Sequence, residues 1–394
     1  MKYDFDRVID RRNTDSLKWD VAEGELPMWV ADMDFETAPS VKRAILDKAN
    51  KGIFGYSVIP DEWGRAYASW WKNRHGTALE EDKLIFATGV VPIISSAVRK
   101  LTTAGENVLV QTPVYNIFFN SVVNNGRNVL ENRLVYDGES YSMDFDDLEE
   151  KLSNPQTSLM ILCNPQNPCG NLWSKENLER VGELCKKYGV TVISDEIHCD
   201  ITSPGKSYVP FASVSDTCRD ISISCYSPTK AFNIAGIQSA AAYVPNRILH
   251  HKLWRALNTD EVAEPNVFAV DAAIAALGEG GEWLDELREY LFENRRLSEN
   301  YISKNICGIR AVHSDATYLV WLDCTELLGE SGKSKELAKY IREKTGLYLS
   351  GGNAYRGDGE RFLRMNIACP RSVLSEGLER LGKGAEMYTA DFSE

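Results

Sequence analysis

Five short runs constrain this chain more than anything else in it: NVLVQTP (107–113), SLMILCNP (158–165), VTVISDEI (190–197), DISISCYS (220–227) and SAAAYVP (239–245). Each is short, largely apolar and bounded by Pro, Ser, Asn or Asp, the pattern of buried parallel strands covered on both faces. Between the second and third lies SKENLERVGELCKKYG, where Leu178, Val181, Leu184 and Tyr188 recur at helical spacing. Ser174 is placed to cap that helix and Gly189 to stop it. A strand-helix-strand unit of this kind, repeated, predicts an α/β region with a mainly parallel sheet over residues 50–283.

The texture changes after that point. A long charged helix, EWLDELREYLFENRRLSENYISKN, precedes alternating strands around TYLVWLD and RFLRMNIA. Residues 284–394 therefore read as a smaller α+β domain, completed by residues 1–49. A chain of 394 residues is long enough for two such units.

Composition excludes several classes of partner. The formal net charge of −13 disfavours a nucleic-acid groove or an anionic membrane surface, because either needs clustered Lys and Arg. The segment MKYDFDRVIDRR has charges where a signal peptide needs an apolar core, and no run of about 18 apolar residues occurs. A cytoplasmic protein is expected. Nine cysteines without a C-x-x-C pair, among them Cys163, Cys225 and Cys369 in apolar runs, read as reduced core thiols.

In open α/β sheets ligands bind beyond the carboxyl ends of the strands. The residues there are unusual: NPQNPCG (164–170), DEIHCD (195–200), YSPTK (226–230) and TGVVPIISSAV (88–98). Each alone has an ordinary reading. NPQNPCG is also a good turn, TGVV is also a helix entry, and Lys230 beside a turn is usually a solvated charge. A metal centre is not expected at His198, since His75, His250, His251 and His313 lie outside motifs of ligand spacing.

Taken together, N-P-x-N-P-x-G at 164–170, D-E-x-x at 195–198 and S-x-x-K at 227–230 resemble the fold type I pyridoxal-phosphate enzymes, the aspartate aminotransferase superfamily. The resemblance covers essentially the whole chain. PMWVADMDF (27–35), GYSVIP (55–60), DEIH and SPTKAFNIAG are similar to the MalY/PatB-like branch of carbon–sulfur β-lyases, the cystathionine β-lyase and cysteine desulfhydrase group. It implies a large domain with a mainly parallel seven-stranded sheet between helices, plus the smaller domain.

The same resemblance implies roles. Lys230 is the lysine that bonds pyridoxal 5'-phosphate and then serves as base for the substrate Cα proton; apolar neighbours such as Phe232 and Ile234 would lower its pKa. Asp195 pairs with the pyridine nitrogen. Asn167 meets the phenolic oxygen, and His198 stands where tyrosine usually shares that task, so imidazole would donate, accept or pack. Tyr115 is either the ring stacked on the cofactor or a core aromatic. Gly89, Val90 and Ser227 cradle the phosphate, and Tyr56 reaches it from the partner of a homodimer. Arg364 shares a strand face with Asn366 and is either solvent-facing or the fork for the substrate α-carboxylate. Trp29 and Asp32 line the substrate side, with plain packing an equal alternative for Trp29. One position departs from the pattern: Gln238 stands where many aminotransferases carry an arginine close to the phosphate.

The implied activity is α,β-elimination from L-cystathionine or L-cysteine to thiol, pyruvate and ammonia. Transamination with a 2-oxo acid acceptor is the alternative on the same scaffold. A non-catalytic binding scaffold is a third, opposed by the presence of Lys230, Asp195, Asn167 and Arg364 together.

Overall fold

The computed structural model describes residues 2–392. Its centre is a seven-stranded sheet built from β1 (Leu84–Ala87), β2 (Asn107–Thr112), β3 (Asn128–Arg133), β4 (Thr157–Cys163), β5 (Thr191–Asp195), β6 (Ser222–Tyr226) and β7 (Ala240–Tyr243), in the spatial order β1-β7-β6-β5-β4-β2-β3. The four pairings from β6 across to β3 are parallel, in a register that sets Cys163 beside Asp195 and Asp195 beside Cys225. Successive residues of each strand feed opposite layers. Ile161, Ile193 and Ile223 pack under the helix Val90–Leu101, whereas Met160, Leu162 and Val192 pack against Leu178, Val181 and Cys185. Each such side chain stabilises the fold by about 2 kcal/mol on burial.

The helix between β4 and β5 runs Lys175–Lys187, with the Ser174 hydroxyl accepting from the Asn177 N–H at 3.2 Å and Gly189 left-handed at φ 72°. Two strand expectations need correction. SAAAYVP is not a parallel strand: β7 runs antiparallel to both β1 and β6. The connection over 227–239 contains no crossover helix, only the short 3-10 turn Ala235–Ile237, so the chain returns along the sheet instead of restarting at its other end. In DISISCYS, Asp220 and Ile221 close the helix Asp216–Ile221, because Ser215 caps it through the Cys218 N–H, and the strand begins at Ser222.

The rest of the chain forms a second, antiparallel sheet in the order β8 (Arg310–Ala311), β9 (Leu319–Asp323), β11 (Phe362–Asn366), β10 (Ser350–Gly351). Every residue of β9 and β11 is buried despite the alternation of polar and apolar positions. Leu363 and Met365 face a core shared with the helices Gly281–Asn305 and Arg371–Phe392, and the opposite face turns Arg364 and Asn366 toward the first sheet. Leu26–Pro27 pairs in parallel with Leu347–Tyr348, which brings the segment Trp29–Phe35 between the two sheets. Among the described residues, no helix is long and apolar enough to cross a membrane.

Candidate active site

The carboxyl ends of β1, β4, β5 and β6 share one rim, and Gly89, Asn167, Asp195, His198 and Lys230 follow or end those strands. Asp195 is the last residue of β5 and lies 5% exposed. Burial pushes its carboxyl up to about 6, while the N–H of Ile197 and the charge of Lys230 pull in the opposite direction. Lys230 follows β6 and donates from Nζ to the Ala31 carbonyl at 2.6 Å. Its amine is lowered to about 8, first by burial and then by the Arg364 charge, against the opposing effect of Asp32 and Asp195. A neutral amine is therefore accessible close to neutrality.

Arg364 on β11 closes the other side. It donates to Asn167 Oδ1 at 3.1 Å and to the Trp29 carbonyl at 2.9 Å, and its Nε has no partner. Asn167 itself is held in a buried turn after β4, where Gly170 has φ 73° and packs against Ser314 and Ala316. His198 is buried and its ring is held neutral, lowered to about 3 by burial and by the charges of Lys230 and Arg364; its Nδ1 is unpartnered. Tyr115 stands edge-on to Phe118 and feels both Asp195 and Arg364, with burial pushing its hydroxyl up to about 12.

Gly89 precedes the helix Val90–Leu101, and no side chain caps that end. Ser227 is less free: its hydroxyl donates to the Ser239 carbonyl at 2.7 Å and also meets Thr229 Oγ1. Gln238 adopts a left-handed φ of 56°. Trp29 stacks on Tyr348 at 4.7 Å, and Asp32 pairs with Arg11 at 2.9 Å. Tyr56 is not brought to this rim; it is wholly exposed within a run that also exposes Ile53, Phe54 and Val58.

The rim also contains groups that no local spacing singles out. Tyr318 donates to the same Ala31 carbonyl as Lys230, at 3.0 Å, and presents its ring to His198 at 6.0 Å. Asn366 donates to the carbonyls of Val30 and Asp32, and Asn233 to those of Met33 and Phe35. Asp34 is clasped by Arg11 at 2.8 Å and by the buried Lys18 at 2.7 Å. The polar alternation of β11, the paired carboxylates of ADMDF and Asn233 within SPTKAFNIAG are the sequence signals for this set. Away from the rim, Glu196 points to the other face of the sheet, fully buried, where it accepts from the Tyr208 hydroxyl and the Phe211 N–H; burial raises it to about 7. His75 meets Asp200 at 3.0 Å near Cys199, a carboxylate already bound by Trp70 Nε1.

Comparison with known proteins matches this geometry to a family. A model described as aminotransferase class I and II matches residues 26–381. Cystathionine beta-lyase PatB of Bacillus subtilis (strain 168) is 41% identical over 384 residues, covering 96% of this chain and 98% of its own. The crystal structure of cystalysin from Treponema denticola, which contains a pyridoxal 5'-phosphate cofactor, superposes with a TM-score of 0.94 at 29% identity, covering 98% of this chain and 100% of its own. The PLP-bound C-S lyase from Staphylococcus hominis superposes with a TM-score of 0.91 at 33% identity, covering 97% and 99%. With a strand-end lysine, carboxylate and arginine converging on one rim of the fold these proteins share, the chain belongs to the aminotransferase class I and II family, in its carbon–sulfur lyase branch.

Proposed function

We propose that the protein is a pyridoxal-phosphate-dependent carbon–sulfur β-lyase that cleaves L-cystathionine or L-cysteine to a thiol and aminoacrylate, which water hydrolyses to pyruvate and ammonia. The single observation that carries the reading is the 41% identity to cystathionine beta-lyase PatB over 96% of this chain, with the Lys230 amine in reach of the charges of Asp195 and Arg364. The residues fit the cofactor: an uncapped helix start at Gly89–Val90 suits a phosphate, and unpartnered polar atoms on His198 and Arg364 wait for ligand groups. Pyridoxal phosphate, when bound, supplies an electron-accepting ring for the bonds of the substrate Cα.

Asp195 would hold the proton of the pyridine nitrogen, and Asn167 and His198 would bind beside the ring oxygen. Tyr115 would cover the ring face. Gly89 and Val90 would give backbone N–H groups to the phosphate; the Ser227 proton must first leave Ser239. Arg364 would take the substrate α-carboxylate as a fork through Nε and a terminal nitrogen, with Trp29 and Asp32 bounding the substrate. Lys230, once neutral, would remove the Cα proton as the Cβ–sulfur bond breaks and the thiolate leaves. The exposed apolar run around Tyr56 supports a homodimer in which that tyrosine serves the partner's phosphate site. The pairing of Leu26–Pro27 with Leu347–Tyr348 supports residues 1–49 and 284–394 as one small domain beside a large domain of 50–283. Eight buried free cysteines support a cytoplasmic setting.

The test is incubation of the cofactor-loaded protein with L-cystathionine without any 2-oxo acid. Pyruvate and free thiol should rise in step, and Lys230→Ala should abolish both. Amino-group transfer appearing only after a 2-oxo acid is added, with no pyruvate before it, would replace this reading with an aminotransferase.

A further inference from the structure

The Ala31 carbonyl receives two donors at once, Lys230 Nζ at 2.6 Å and the Tyr318 hydroxyl at 3.0 Å. Ala31 lies in irregular backbone, so no ladder or helix fixes the direction of its carbonyl. The carbonyls around it are held by side chains from elsewhere: Trp29 by Arg364, Val30 and Asp32 by Asn366, Met33 by Arg11 and Asn233. Tyr318 does the same for Ala31, and its buried hydroxyl, raised well above the ordinary tyrosine range, stays a donor. A carbonyl oxygen has two acceptor sites, so both donors fit.

We propose that Tyr318 is a positioning residue for Lys230: its hydroxyl fixes the Ala31 carbonyl as the seat of the amine whenever the amine is not bonded to the cofactor, and shares that oxygen's acceptor capacity. The sharing has a direction. An ammonium gains more from a strong acceptor than a neutral amine does, so a second donor on the oxygen favours the neutral amine. When the amine leaves to act on a substrate, the carbonyl keeps one partner and is not stranded in the interior. The other charged and titratable groups facing Lys230 are Asp32, Asp195, Arg364 and His198; Asp32 and Arg364 also act on the Tyr318 hydroxyl, and His198 faces its ring.

The inference rests on the role proposed for Lys230, and its test separates the two. In cofactor-free protein, the pH dependence of Lys230 modification by trinitrobenzenesulfonate is followed by mass spectrometry in wild type and Tyr318→Phe, which keeps the ring against His198. The midpoint should rise in the variant, making modification at pH 7 slower by about threefold or more. In loaded enzyme the acid limb of kcat, which reports the amine freed in the substrate complex, should move to higher pH with KM little changed. Incorporating 3-fluorotyrosine at position 318, a stronger donor of the same shape, should move the midpoint the other way and serves if the Phe variant fails to fold. Unchanged midpoints overturn the role of Tyr318 whatever happens to turnover. Shifted midpoints in a protein whose Lys230→Ala variant still turns over would instead overturn the role of Lys230 alone.

Discussion

Glu196 offers a sharp test of how this interior is built. It follows Asp195 directly but faces away from the rim, fully buried, with the Tyr208 hydroxyl and the Phe211 N–H as donors. Burial raises its carboxyl from 4.5 to about 7. A carboxyl whose folded pKa is raised gives its full stability below the unfolded value and loses it as pH climbs through the folded value. At about 1.4 kcal/mol per pH unit, the interval from 4.5 to 7 amounts to roughly 3 kcal/mol. Glu196→Gln removes the titration but keeps the shape, with a pH-independent offset for the acceptor lost to Tyr208 or Phe211. Urea unfolding of both proteins at one protein concentration from pH 4.5 to 8.5 isolates the effect, because the other titrating groups cancel in the difference. The variant should gain relative to wild type by about 3 kcal/mol, most of it between pH 4.5 and 7. A difference that is flat across this range would refute the reasoning, since Glu196 would then not titrate between those limits.

Two further outcomes follow from the site. Gly170→Ala would drive its Cβ into Ser314 Oγ and set it 2.7 Å from the Ala316 carbonyl at a φ of 73°; thermal unfolding should show a loss of about 3 kcal/mol or more, not rescued by adding Ser314→Ala. Arg364→Lys keeps the charge but removes the fork to Asn167 and Trp29, so steady-state kinetics should show KM for the amino acid raised by about tenfold or more; an unchanged KM would remove Arg364 from carboxylate binding.

What the sequence disclosed follows from locality. Asp195 and Lys230 could be read because Asp195 closes one apolar run and Lys230 lies four residues past another, where the D-E-x-x and S-x-x-K motifs that carry the resemblance occupy neighbouring positions. The helix after Ser174 was legible for the same reason. The direction of β7 was not, because composition marks a buried strand without saying which way it runs; the connection over 227–239 decides that. Tyr318 and Asn366 were equally silent as site residues. Their partners lie 287 and 334–336 residues away, and the irregular backbone of Trp29–Asp32 has no period to reveal which carbonyls need donors.

Those separations also set a timetable. The segment Trp29–Asp32 leaves the ribosome long before Arg364 and Asn366, whose bonds to it span 334–336 residues. At about 5–20 residues per second, roughly 20–60 s pass before its carbonyls can meet those donors. During that interval β1 to β7 are already synthesised and able to pair, so the nascent chain would possess its sheet, Asp195 and Lys230 while the substrate side is still open. Completion of this rim is thus among the last events of biosynthesis, and a chain released short of β11 would keep Lys230, Ala31 and Tyr318 but lack Arg364 and Asn366.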